Sequence, residues 1–86
     1  MQGKVIRGID GNWDHIMESH GVSELEVVSV FREGPLRPRR NKRMGSADYM
    51  VIGRAFTGRM LRIYYSWDDE RPEWIWVHTA FQEVKI

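Results

Sequence analysis

Residues 48–84 read DYMVIGRAFTGRMLRIYYSWDDERPEWIWVHTAFQEV. Three runs within it, Asp48 to Phe56, Arg59 to Trp67 and Trp74 to Val84, are rich in the aromatic and β-branched residues that suit a pleated, half-buried surface. Thr57-Gly58 and the polar Asp68 to Glu73 segment separate them, and links that short join antiparallel neighbours. Alternation then assigns faces. Leu61, Ile63 and Tyr65 are expected to oppose Arg62 and Tyr64, and Ile75, Val77, Thr79 and Phe81 to oppose Trp74, Trp76 and His78. One face would cover a core and the other would be amphipathic.

Upstream, the periodicity changes from two to that of a helix. Val5 and Ile6 suit a short opening strand before the turn-like Asp10-Gly11-Asn12, where Asn12 is a suitable N-cap. Trp13, Ile16, Met17 and His20 then fall on one helical stripe, which Gly21 is placed to end. A second helix has the clearest boundary. Ser23 and Glu26 have the S-x-x-E spacing that satisfies two orphan backbone N–H groups reciprocally, and Val22 and Val27 sit where a hydrophobic staple forms. Val27, Val28, Val30 and Phe31 supply its buried side, and Gly34-Pro35 stops it. Leu36 to Ala47 is basic, contains Pro38, and reads as a loop or edge strand. The expected fold class is therefore α+β, with two short N-terminal helices packed on a mainly antiparallel sheet of three to five strands.

At 86 residues the chain suits one domain, 1–86, and 42% hydrophobic residues with four Trp are enough to close a core. The absence of Cys excludes a disulfide framework and a thiolate zinc site. No apolar stretch approaches a membrane-spanning length and Met1 to Lys4 leads into no signal-peptide run, so a soluble, cytoplasmic protein without a membrane partner is expected. Net charge is +1, so any electrostatic function depends on where the charges lie. They are uneven: Arg37, Arg39, Arg40, Lys42 and Arg43 crowd one segment, and Asp68, Asp69 and Glu70 another.

Several segments together resemble a known family. His20-Gly21-Val22-Ser23 with Glu26, then Val30-Phe31 before a Pro, is similar to the start of the BrnT family, ribonuclease toxins of the RelE/ParE-like superfamily. Ile52-Gly53-Arg54 followed by Gly58-Arg59 and Leu61 resembles its I-G-x-x-x-x-G-R-x-L run, and Val77-His78-Thr79-Ala80-Phe81 looks like its last strand. The resemblance spans Trp13 to Phe81. It implies a bacterial, cytoplasmic toxin of a type II toxin–antitoxin pair that cleaves mRNA, with or without the ribosome. It also implies a DNA-binding antitoxin as partner. Where many family members carry Arg after the "S-A" of the final strand, this chain has Phe81.

The residues are compatible with that chemistry. Arg62 with Tyr64 and Trp76 would offer phosphate forks and ring faces for unstacked bases, and the basic segment Arg37, Arg39, Arg40, Lys42 and Arg43 would bind RNA. Metal-free cleavage needs a group to take the 2′-hydroxyl proton, cations to stabilise the phosphorane and a donor for the leaving oxygen. His78 is the expected acid or base, with Arg54 and Arg59 as transition-state cations. No metal site and no cofactor is expected.

Plainer roles exist beside these. His20 on the helical stripe reads as structural, His15 as exposed, and His78 among aromatics also suits packing or hydrogen bonding. Asp68-Asp69-Glu70 reads as a solvated hairpin link. Two alternatives to the ribonuclease stand: a non-catalytic domain of the same fold binding a protein or RNA, which Phe81 favours, and a toxin inhibiting a protein target such as gyrase.

Overall fold

In the computed structural model, residues 5–33, 36–42, 45 and 47–83 are described. The elements run β1 (Gly8–Gly11), α1 (Trp13–His20), α2 (Glu24–Arg32), β2 (Arg39–Arg40), β3 (Tyr49–Arg54), β4 (Met60–Trp67) and β5 (Trp74–Gln82). The fold is α+β, and the described residues form two helices and one five-stranded mixed sheet ordered β1-β5-β4-β3-β2. β1 lies parallel to β5, and the other neighbours are antiparallel. Among the described residues no helix is long and apolar enough to cross a membrane.

The second helix forms as its local signals dictate. Ser23 Oγ accepts from Glu26 N–H at 3.2 Å while Glu26 Oε1 accepts from Ser23 N–H at 3.3 Å, a complete capping box. Val22 and Val27 are both fully buried. Val30 packs so closely on Gly53 of β3 that a Cβ there would meet Val30 Cγ1 at 2.6 Å, which explains a glycine inside a strand. Gly34 and Pro35, the expected stop, lie outside the described residues.

The first helix is less amphipathic than its spacing suggests. Ile16 is its only buried residue; Trp13 is partly buried, and Met17 and His20 face solvent. Its left-handed end at Gly21, φ 64°, is as expected, the Gly21 N–H donating to Met17 O at 2.9 Å. Asn12 precedes the helix without a side-chain cap bond.

Two expectations for the sheet need correction. The opening strand is Gly8–Gly11 rather than Val5-Ile6, because its register is set by pairing with Trp74–Val77, where the Trp74 indole lies directly over Gly8. A β-bulge also breaks the alternation of β5. Tyr64 pairs with Thr79 and Tyr65 with Val77, so His78 is an extra residue and every side chain beyond it changes face. Ala80, fully buried opposite Ile63, takes the core position, and Phe81 joins Arg62 on the outer face. Thr79, expected in the core row, is left with a buried hydroxyl that has no hydrogen-bond partner among the described residues.

The core lies between the helices and one face of the sheet, built on Ile16, Val27, Val51, Leu61, Ile63, Ile75 and Val77. The other face carries Met50, Ile52, Arg62, Tyr64, Ser66, Trp76 and Phe81, placed there by the β3–β4–β5 register.

Candidate functional site

The outer face divides into two regions of opposite charge. At the β2 edge, Arg39, Arg40, Asn41 and Lys42 meet Met50 of β3 and Arg62 and Tyr64 of β4 around an open groove of about 500 Å³. Arg37 lines an adjoining recess of about 130 Å³ with Arg39, Met50 and Ile52. Toward the β4–β5 turn, Asp48, Asp68, Asp69 and Glu70 surround Ser66, Trp67, Trp76 and His78 in a cleft of about 400 Å³.

In the basic groove the cations are held in different ways. Arg39, opposite Met50, points to the groove, whereas Arg40, opposite Tyr49, turns its guanidinium to the helix side of the sheet, 5.7 Å from the centre of the Tyr49 ring and within cation–π range. Arg62 donates through Nε to Glu83 Oε1 at 2.7 Å and through Nη2 to Glu83 Oε2 at 2.8 Å, and its Nη1 lies 3.5 Å from Tyr64 Oη. The bond to Glu83, then that to Tyr64, raises the affinity of Arg62 for its proton. Tyr64 is only 7% exposed and its ring centre is 6.0 Å from that of Phe81. A ring so covered offers its hydroxyl to the groove but no free face for a base. The groove thus presents cations and a hydroxyl rather than open ring faces.

The acidic cleft is organised by a residue that the sequence reading passed over. Arg71 donates to Asp68 Oδ2 from Nη2 at 2.7 Å and from Nε at 3.1 Å, reaches Asp10 Oδ2 at 3.1 Å, and stacks 4.4 Å over Trp74. The backbone N–H of Glu70, then the Arg71 guanidinium, holds Asp68 below the usual carboxylate range. The spacing Asp68-x-x-Arg71 is the signal available in the sequence. His78 Nε2 lies 3.1 Å from Ser66 Oγ, which accepts from Asp48 N–H at 3.0 Å. Among the described residues no group of three or more His, Asp or Glu is arranged to hold a metal ion.

Arg54, Arg59 and His78, the expected catalytic residues, are not brought together. Arg59 turns to the helix side: Nε donates to Glu26 Oε2 at 3.0 Å and Nη2 to Glu26 Oε1 at 2.7 Å and to Gly21 O at 2.9 Å. Thr57 Oγ1 donates to Glu26 Oε2 at 2.6 Å. The Arg59 bond, with Thr57 and the Ser23 N–H adding to it against the cost of burial, lowers the Glu26 pKa to about 2. Arg54 is exposed at the end of β3 and donates from Nη1 to Gly58 O at 3.0 Å.

His78 lies opposite the Tyr64/Tyr65 step, whereas Arg54 lies opposite Met60. That offset along β4 is roughly 13 Å, beyond the reach of one phosphate. Of the expected RNA-binding residues, Arg39, Arg40, Lys42, Arg62 and Tyr64 share the basic groove and Arg37 adjoins it, while Trp76 belongs to the acidic cleft. Arg43 lies outside the described residues. Glu26 and Glu83, which fix Arg59 and Arg62, were not singled out as partners; nothing in local spacing joins residues this far apart in sequence. No protein-family model, curated protein or solved structure matches the chain.

Proposed function

We propose that this protein binds RNA through the basic groove of its outer sheet face, contacting backbone phosphates. One observation carries the reading: Arg39 and Lys42 from the edge line one open groove with Arg62 from β4, although β3 lies between them. Convergent cations at a groove supply the electrostatic part of nucleic-acid affinity, and a covered Tyr64 leaves little to read bases. The carboxylates around His78 and Trp76 repel a polyanion and confine it to the β2–β3 side. A non-catalytic RNA-binding domain is the form of this reading that agrees best with the separation of Arg54, Arg59 and His78.

Fluorescence anisotropy with a labelled mixed-sequence RNA tests it. Binding should weaken steeply with salt, differ only a few-fold between homopolymers, and fall about tenfold in Arg39→Ala/Lys42→Ala. Salt-independent binding, or none, would count against it.

The BrnT-like endoribonuclease toxin, neutralised by an antitoxin, is the second reading. A strand and two helices preceding a set of antiparallel strands are compatible with that resemblance, and His78 stands in an open cleft beside Ser66. Cleavage of RNA in the presence of a chelator, abolished by His78→Ala, would favour it over simple binding.

A further inference from the structure

Among the described residues, Arg39 and Lys42 of the groove make no ion pair, whereas the Arg62 fork is already filled by Glu83. Glu83 is not a loose surface acid. Its own N–H donates to Met60 O at 2.8 Å, which fixes the backbone at the end of β5, and its side chain is 19% exposed. Two parallel N–H···O bonds between guanidinium and carboxylate use the same edge of arginine that a phosphate would take.

We propose that Glu83 is a selectivity residue of the groove, and this rests on the RNA reading above. Its carboxylate occupies Arg62 as a tethered competitor, so an isolated small anion is met at a high local concentration of carboxylate and gains little by displacing it. A phosphodiester strand engages Arg39 and Lys42 at the same time, and the counterions it releases there offset the exchange at Arg62. The groove therefore answers to a chain of phosphates and rejects single ones. The ligand class is a polyphosphodiester, and Glu83 sets the threshold.

The test compares the intact protein, Glu83→Gln and Arg62→Ala/Glu83→Gln, each confirmed folded by circular dichroism. Inorganic phosphate is titrated by calorimetry and a twelve-nucleotide RNA by anisotropy. Glu83→Gln should bind phosphate at least tenfold more tightly than the intact protein and RNA several-fold more tightly, and the double variant should show neither gain. Unchanged or weaker phosphate binding by Glu83→Gln would overturn the proposal, since a carboxylate that merely positions Arg62 gives that result. RNA binding by the intact protein with no gain in Glu83→Gln would leave the RNA reading standing and remove the role of Glu83. A phosphate gain without RNA binding by any variant would remove the RNA reading and the selectivity with it, leaving Glu83 only as a competitor for Arg62, and binding of neither ligand would remove all three.

Discussion

Arg59, just before β4, and Arg62, within it, each set two guanidinium nitrogens on one glutamate, yet they serve different ends. Arg59 reaches the helix side, where Glu26 is 8% exposed and also closes the capping box of α2. One carboxylate there joins the helix start, the β3–β4 turn through Thr57, and the link between the helices through Gly21 O. Arg62 faces outward, as exposed as Arg59 at 30%, but its partner Glu83 is 19% exposed, makes no helix cap, and lies by a groove that Arg39 and Lys42 also line. Identical local chemistry thus makes a structural tie on one side of the sheet and an adjustable contact on the other, and burial with the number of shared partners decides which.

The difference can be broken most forcefully at Glu26. Glu26→Ala leaves a partly buried guanidinium without its carboxylate and removes the cap, so a loss of about 3 kcal/mol is expected, read from the urea midpoint. Acid gives a second view of the same tie. The Glu26 pKa is about 2 in the folded chain against an ordinary 4.5. Its folded-state value is depressed, so its contribution is full above pH 4.5 and disappears as pH falls toward 2. Stability should drop by about 3 kcal/mol more between these limits in the parent than in Glu26→Gln, measured by urea titration at stepped pH.

On the outward side the expected effects move from stability to binding. Arg62→Ala should cost about 1 kcal/mol of stability, less than Glu26→Ala, since its ion pair stays partly open to solvent and closes no helix cap. It should nevertheless weaken RNA binding several-fold and lower the salt slope by about 1 in anisotropy measurements. The smallest effect is expected in the acidic cleft, where His78→Ala should leave RNA affinity within about twofold, because carboxylates already keep a polyanion from that end.

What the sequence disclosed follows the range of each physical cause. Ser23 and Glu26 announce α2 because a capping box is complete within four residues, and the aromatic, β-branched runs announce β3, β4 and β5. The bulge at His78 escaped because it belongs to the pairing of β5 with β4, and so Thr79 and Phe81 were assigned to the wrong face. The site was half legible. The basic segment at Arg39 to Lys42 is local and visible; its meeting with Arg62 depends on strand order, as does the pairing of Arg59 with a residue 33 positions away. The turn of Arg59 toward Glu26 was not legible, because an arginine beside a strand has no sequence mark telling which side of the sheet it will face.

Titration of the nitrogen-15-labelled protein with RNA, following backbone amides and arginine Nε–H groups together, tests the division of labour most directly. Arg39, Arg40, Lys42, Met50 and the Arg62 Nε–H should shift, with Arg59 Nε–H, Trp76 and His78 unmoved. Shifts centred on Arg59 or on the Trp76–His78 cleft, with Arg62 silent, would contradict it.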